Sequence, residues 1–125
     1  MKSYTFTVPM KPAGKERPRF SNGHTYMPEK YMKWKKDFIA YCFASGKFPR
    51  FQALTCPICF SVTFWTKTGK IRPDIDNAAG ACLDAIQDTK ERRGLIANDR
   101  QVVELHARVC EGLKDEIMFT LQEAQ

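Results

Sequence analysis

Asp74 and Asp76 stand one residue apart in Arg72-Pro73-Asp74-Ile75-Asp76-Asn77, and a third acid, Asp99, follows Asn98 ahead of a later apolar segment. Two carboxylates held side by side repel each other, and a hard divalent cation with oxygen ligands, Mg²⁺ or Mn²⁺, is the usual way to hold them together. Pro73 pushes Arg72 toward extended geometry. The Asp-Ile-Asp triplet then lies where extended chain passes into a helix, with both acids on one side and Ile75 toward the core. Helix capping is the competing reading. It explains one acid, but neither a pair flanking an apolar residue nor the isolated Asn98-Asp99. Asp74, Asp76 and Asp99 are therefore the candidate metal ligands, and Asn77 is placed to orient a ligating carboxylate.

The other residues able to do chemistry are basic. Lys and Arg number 20 against 14 Asp and Glu, a formal charge of +6 that draws polyanions. Charge of this size is also ordinary for a small soluble domain, so its placement matters more than its total. Lys15, Arg17 and Arg19 alternate along a Pro- and Gly-containing segment with Phe20 beside them. They suit phosphate contacts with an aromatic wedge, or else form a solvated loop. Lys67, Lys70 and Arg72 add a second basic group just before the acidic pair.

His24 and His106 fall on or beside extended segments and read as packing or surface residues. Asp84 reads as a solvated or helix-packing acid. The five cysteines are an odd number, and Cys56-Pro57-Ile58-Cys59 lacks the second ligand pair of a zinc site, so they read as small core residues of a reducing compartment.

These groups must be positioned by elements that the patterning announces. Residues 3–9 alternate apolar and polar side chains as a half-buried strand, and a basic loop runs from Met10 to Phe20. The Ser21-Asn22-Gly23 turn precedes a short extended piece at His24–Met27. A helix is expected from Pro28 to Ser45, with Tyr31, Trp34, Phe38, Tyr41 and Cys42 at core spacing. Ile58 to Trp65 is the clearest strand. A second helix should run to about Gln87, an irregular charged stretch over 88–97, and two strands over 101–109 and 116–121. The order β, β, α, β, α, β, β predicts an α+β (mixed α/β) fold: one domain over 1–125, a mixed β-sheet with two main helices packed on it. With no membrane-length apolar run and no signal-peptide pattern, the expected location is the cytoplasm.

The motifs now on the page resemble the RusA-type Holliday-junction resolvases of bacteria and their phages. Gly14-Lys15-Glu16-Arg17-Pro18-Arg19-Phe20 and Thr25-Tyr26-Met27-Pro28 are similar to the basic N-terminal loop of one branch of that family. Arg72-Pro73-Asp74-Ile75-Asp76-Asn77, Leu83-Asp84-Ala85-Ile86 and Asn98-Asp99-Arg100-Gln101-Val102-Val103 carry its core. The resemblance implies a Mg²⁺-dependent homodimer that nicks branched DNA symmetrically at a four-way junction, using Asp74, Asp76 and Asp99. One position departs. Four residues after the second Asp the family usually has an active-site Lys, and here stands Gly80. Lys67, Lys70 or Lys90 could supply the charge instead, or the chain is a weak or inactive junction-binding protein. An unrelated small metal-binding or interaction domain, with its acids as caps, is the third class that these residues allow.

Overall fold

Alternation dictates the sheet. In β1 (Ser3–Val8) Tyr4, Phe6 and Val8 are buried while Ser3, Thr5 and Thr7 are exposed. Its antiparallel partner β6 (Glu116–Glu123) turns Ile117, Phe119 and Leu121 to the same side, with Phe6 opposite Phe119 and their rings stacked at 5.0 Å. β4 (Ile58–Thr66) buries Ile58, Phe60, Val62 and Phe64 and pairs on both flanks: antiparallel with β6 and parallel with β5 (Val102–Glu111). The sheet order is β1-β6-β4-β5. This computed structural model describes residues 2–124, and Met1 and Gln125, the ends of the expected domain, lie outside the described residues.

Two helices cover the apolar face. α1 (Glu29–Ala44) starts after Pro28 and lays Phe38, Ile39 and Cys42 into the core. α2 (Ile75–Ile86) buries Ala78, Ala79, Ala81 and Ala85, small residues that allow close packing. A parallel strand pair needs a crossover, and α2 is the crossover between β4 and β5. The opposite face of the sheet is polar: Thr5 and Thr120 share a hydroxyl hydrogen bond of 2.9 Å, and Arg108 Nε donates to Thr63 Oγ1 at 3.1 Å. The α+β expectation, two helices on a mixed sheet, holds.

Three local expectations change. Residues 19–21 are not loop but β2 (Arg19–Ser21), paired with β3 (His24–Tyr26) through the two-residue turn Asn22-Gly23, whose φ values of 52° and 77° suit such a hairpin. The alternation signal was missing because every residue of the hairpin is exposed. The stretch 88–97 is irregular but fixed: Leu95 N–H donates to Ile86 O at 2.7 Å, Leu54 N–H to Leu95 O at 2.8 Å and Ala97 N–H to Leu54 O at 3.0 Å. Tyr41, expected in the core, is 46% exposed.

Candidate functional site

Asp74 is the N-cap of α2, with extended backbone (φ −60°, ψ 150°), yet its side chain makes no capping hydrogen bond. Its carboxylate oxygens are thus not used by the helix. Asp76 sits in the first turn, and both acids are exposed at the end of α2 where the helix dipole is positive and offsets part of their repulsion. Ile75 does not point into the core; it is 40% exposed. The triplet is the start of a helix, so the two-residue alternation of a strand does not apply to it.

Asp99 lies elsewhere. It opens a one-turn 3₁₀ helix, Asp99–Gln101, that Asn98 caps by accepting from Arg100 N–H, while Gln101 Oε1 accepts from Asn98 N–H at 2.8 Å. The Asp99 N–H donates to Gln87 Oε1 at 3.2 Å, and Gln87 is the C-cap of α2. Asp74 and Asp76 therefore stand at one end of α2 and Asp99 at the other. The 12 residues of the helix separate them by about 18 Å at 1.5 Å per residue. Among the described residues no three His, Cys, Asp or Glu side chains gather closely enough to hold a metal ion. One chain does not bring the three expected ligands together, and topology is the reason. A crossover helix between parallel strands puts the residues before it and after it at opposite ends of the sheet. Asp74 and Asp76 nonetheless offer oxygen donors without ion-pair partners among the described residues, the chemistry that Mg²⁺ or Mn²⁺ takes, so they fit part of a site.

The basic residues gather at the Asp74 end. Lys67, Lys70 and Arg72 line a hollow with Lys11 and Asp115. A second hollow, between the N-terminal loop, α1 and Pro73, is lined by Arg19, Lys30, Trp34, Asn77 and again Arg72. Arg72 and Pro12 belong to both, so the two hollows meet at these residues. Lys11 falls in the basic loop read from the sequence, whereas Lys30 had no signal there that set it apart from other surface lysines. Arg17 is exposed. Lys90 follows the C-terminal end of α2, the end opposite Asp74 and Asp76.

The N-terminal basic loop is held at several points. Trp34 Nε1 donates to Lys11 O at 2.9 Å, and Lys15 N–H donates to Asn77 O at 3.3 Å. Gly14 lies so close to the first turn of α2 that a Cβ there would be 2.9 Å from Asn77 Nδ2 and 3.2 Å from Pro73 Cβ. Asn77 thus faces this loop. The stem of Lys15 crosses Gly80: a Cβ at position 80 would lie 3.5 Å from Lys15 Cδ and 3.9 Å from Lys15 Cβ.

Other candidates take structural parts. Tyr31 Oη and Lys35 Nζ both bond Asp84 Oδ2, making Asp84 a helix-packing acid. His106 Nε2 meets Glu104 Oε1 at 2.7 Å on the exposed side of β5, and this contact, with a further one from Cys59, holds the Glu104 carboxyl below its usual range. Cys56 and Cys59 engage different partners, Glu123 and Glu104, and do not act as a pair.

Residues 9–120 match the model of a protein family described as Endodeoxyribonuclease RusA. The chain belongs to the RusA endodeoxyribonuclease family. A comparison with curated protein sequences finds no match. The RusA match takes in the anchored basic loop, the acidic pair at α2 and the Asn98-Asp99 turn. The RusA family acts on branched DNA junctions, and no helix among the described residues is long and apolar enough to cross a membrane.

Proposed function

We propose that this chain is a Mg²⁺-dependent endodeoxyribonuclease that resolves four-way DNA junctions as a homodimer, in recombination and repair in the cytoplasm of a bacterial or phage-infected cell. The observation that carries the reading is the acidic pair Asp74 and Asp76, uncommitted at the N-terminus of α2 and following in the chain directly after Lys67, Lys70 and Arg72, which line one hollow, in a chain of the RusA family. Lys67, Lys70, Arg72, Arg17 and Arg19 draw the phosphate backbone to this end of the molecule. Asp74 and Asp76 hold the cation, Mg²⁺ or Mn²⁺, and Asn77 keeps the neighbouring loop in register with them. When bound, the cation polarises the scissile phosphate and makes water a better nucleophile at neutral pH.

The position of Asp99 supports a second copy. β5 is an edge strand of the sheet, with Val103 64% and Leu105 45% exposed, and a long unpaired edge is a template for pairing. Two β5 strands joined antiparallel about a two-fold axis set the N-terminal end of one against the C-terminal end of the other. The partner's Asp99 then lies toward the Asp74 and Asp76 end of the first chain, and the acid set closes twice per dimer. Two such sites match the two equivalent phosphates of a four-way junction.

The test is cleavage and gel shift with a four-way junction and a linear duplex of the same sequence, with and without Mg²⁺. Metal-dependent cutting of the junction is expected. Junction-selective binding without cutting favours the second reading, a binding protein inactive through Gly80, and no selectivity at all sinks both.

A further inference from the structure

We propose that Lys15, delivered from the N-terminal loop across Gly80, is the cation that contacts the phosphate undergoing cleavage beside Asp74 and Asp76; the inference rests on the nuclease reading above. Gly80 is the starting point. It sits within α2, where glycine costs about 1 kcal/mol against alanine, and its φ is not among the positive values that glycine alone tolerates well. Conformation therefore does not explain it. Its surroundings do. The heavy atoms near its vacant side-chain position, outside its own helix backbone, are those of Lys15, at 3.5 and 3.9 Å. A methyl group fits there in ordinary contact, but a longer side chain takes the path that the Lys15 stem now follows.

Three further observations fix Lys15 in that path. Its N–H is bonded to Asn77 O at 3.3 Å. Gly14, its neighbour, is pressed against Pro73 and Asn77 so closely that no other residue fits without a shift. Trp34 Nε1 holds the loop further back, at Lys11 O. Position 80 lies four residues after Asp76, on the same helix face one turn along. The ammonium group is two bonds beyond the contact at Cδ and has no ion-pair partner among the described residues. The stem of a lysine thus lies over the helix one turn from its acidic first turn, where the helix's own residue has no side chain. A cation so placed stabilises the charge that develops on a phosphate during cleavage, in the way an oxyanion donor does.

The experiment is a charge transposition, read by single-turnover cleavage of a four-way junction in Mg²⁺ and by junction affinity over a salt series. Lys15→Met keeps the apolar stem and removes the charge. It should slow cleavage by about 100- to 1,000-fold, with affinity reduced far less and the salt slope lowered by about 0.9. Lys15→Arg should recover most of the loss. Gly80→Lys should leave the rate unchanged or lower in the natural background, because two lysines compete for one channel, yet raise it at least tenfold in Lys15→Met. That reversal of sign is the signature. Thermal unfolding of each variant checks that it folds, and if Gly80→Lys does not, the Lys15→Met and Lys15→Arg pair still decides. Cleavage by Lys15→Met at the natural rate, or a rate loss matched by an equal loss of affinity, overturns the proposal. If the natural protein cuts no junction, the nuclease reading itself has failed, and Lys15 loses this role with it.

Discussion

The hydroxyl of Tyr31 in α1 donates to Asp84 Oδ2 in α2 over 2.7 Å, and Lys35 Nζ reaches the same oxygen at 3.1 Å. Lys35 also lies 4.8 Å from the centroid of the Tyr31 ring. This three-residue junction ties together the helices that flank the N-terminal loop. The side chains of Lys35 and Asp84 are 11% and 23% exposed, so the pair is neither free in water nor sealed from it. Removing the acid strands a largely buried cation and a buried hydroxyl, at a cost of about 2–4 kcal/mol. Lys35→Met leaves Asp84 its Tyr31 bond and some water, and should cost under about 1.5 kcal/mol. Urea unfolding of Asp84→Ala and Lys35→Met compares the two. Equal losses would show that the cluster acts only as a charge pair.

Stability should fall on the alkaline side. Burial, then the bond to Asp84, pushes the Tyr31 hydroxyl well above its ordinary value of 10.0. Burial likewise raises the Cys42 thiol from 9.0 to about 12, and lifts Cys82 upward in the same direction. In each case the folded chain keeps a proton that the unfolded chain releases, so the contribution is complete below pH about 9 and declines as pH rises. A urea midpoint that drops between pH 9 and 11 is expected, with a shallower drop for Tyr31→Phe and Cys82→Ala. An unchanged slope in both variants would contradict the burial of these groups.

The separation of Asp99 from Asp74 makes a sharp genetic test. Asp74→Asn and Asp99→Asn should each abolish cleavage alone while still binding junctions. Mixed and allowed to exchange subunits, the two inactive proteins should regain nicking, because one site of the mixed dimer then joins an intact Asp74 and Asp76 to an intact Asp99. A site formed within one chain stays dead in every mixture.

Lys67, Lys70 and Arg72 line one hollow, and each should neutralise a phosphate. Alanine at any one should lower the slope of log affinity against log salt by about 0.9 on duplex arms. The effect should be alike for different sequences, since phosphate contacts carry no base information. A change confined to one junction sequence would point to base contact instead.

Gly94 is the glycine whose replacement should hurt most. A Cβ there would lie 2.4 Å from both Ile86 O and Gln87 C, against backbone that cannot yield. Gly94→Ala should destabilise by about 3 kcal/mol, read as a lowered urea midpoint. Gly23→Ala meets nothing within 4 Å but has φ of +77°, and should show the smaller cost of strain alone.

Much of this molecule was readable in its sequence where a face is buried. The alternation at Tyr4, Phe6 and Val8 and at Ile58, Phe60, Val62 and Phe64 gave strands because one side meets the core. Pro28 and Gly46, with φ of 70°, bracketed α1 as expected. The Arg19–Ser21 strand left no such mark, being exposed throughout. Stretch 88–97 is held by backbone bonds, which side-chain patterns do not encode. Asp74, Asp76 and Asp99 were recognisable as chemistry, but their separation depends on the parallel pairing of β4 with β5, a fact of topology. Lys15 was visible as a basic residue, and Gly80 as an anomaly. Their contact joins residues 65 positions apart by number, 15 and 80, and no local pattern announces it.

The anchoring of the N-terminal loop has a thermodynamic consequence for DNA encounter. Trp34 and Asn77 order its backbone in the free protein, so the conformational entropy of that segment is lost on folding and not on association. Junction binding should then proceed without a slow ordering phase for this loop, with rates set by electrostatic attraction and salt, and with a heat-capacity change too small for coupled folding. Trp34→Phe, which releases Lys11 O, should move part of that ordering into the binding step and make its heat-capacity change more negative.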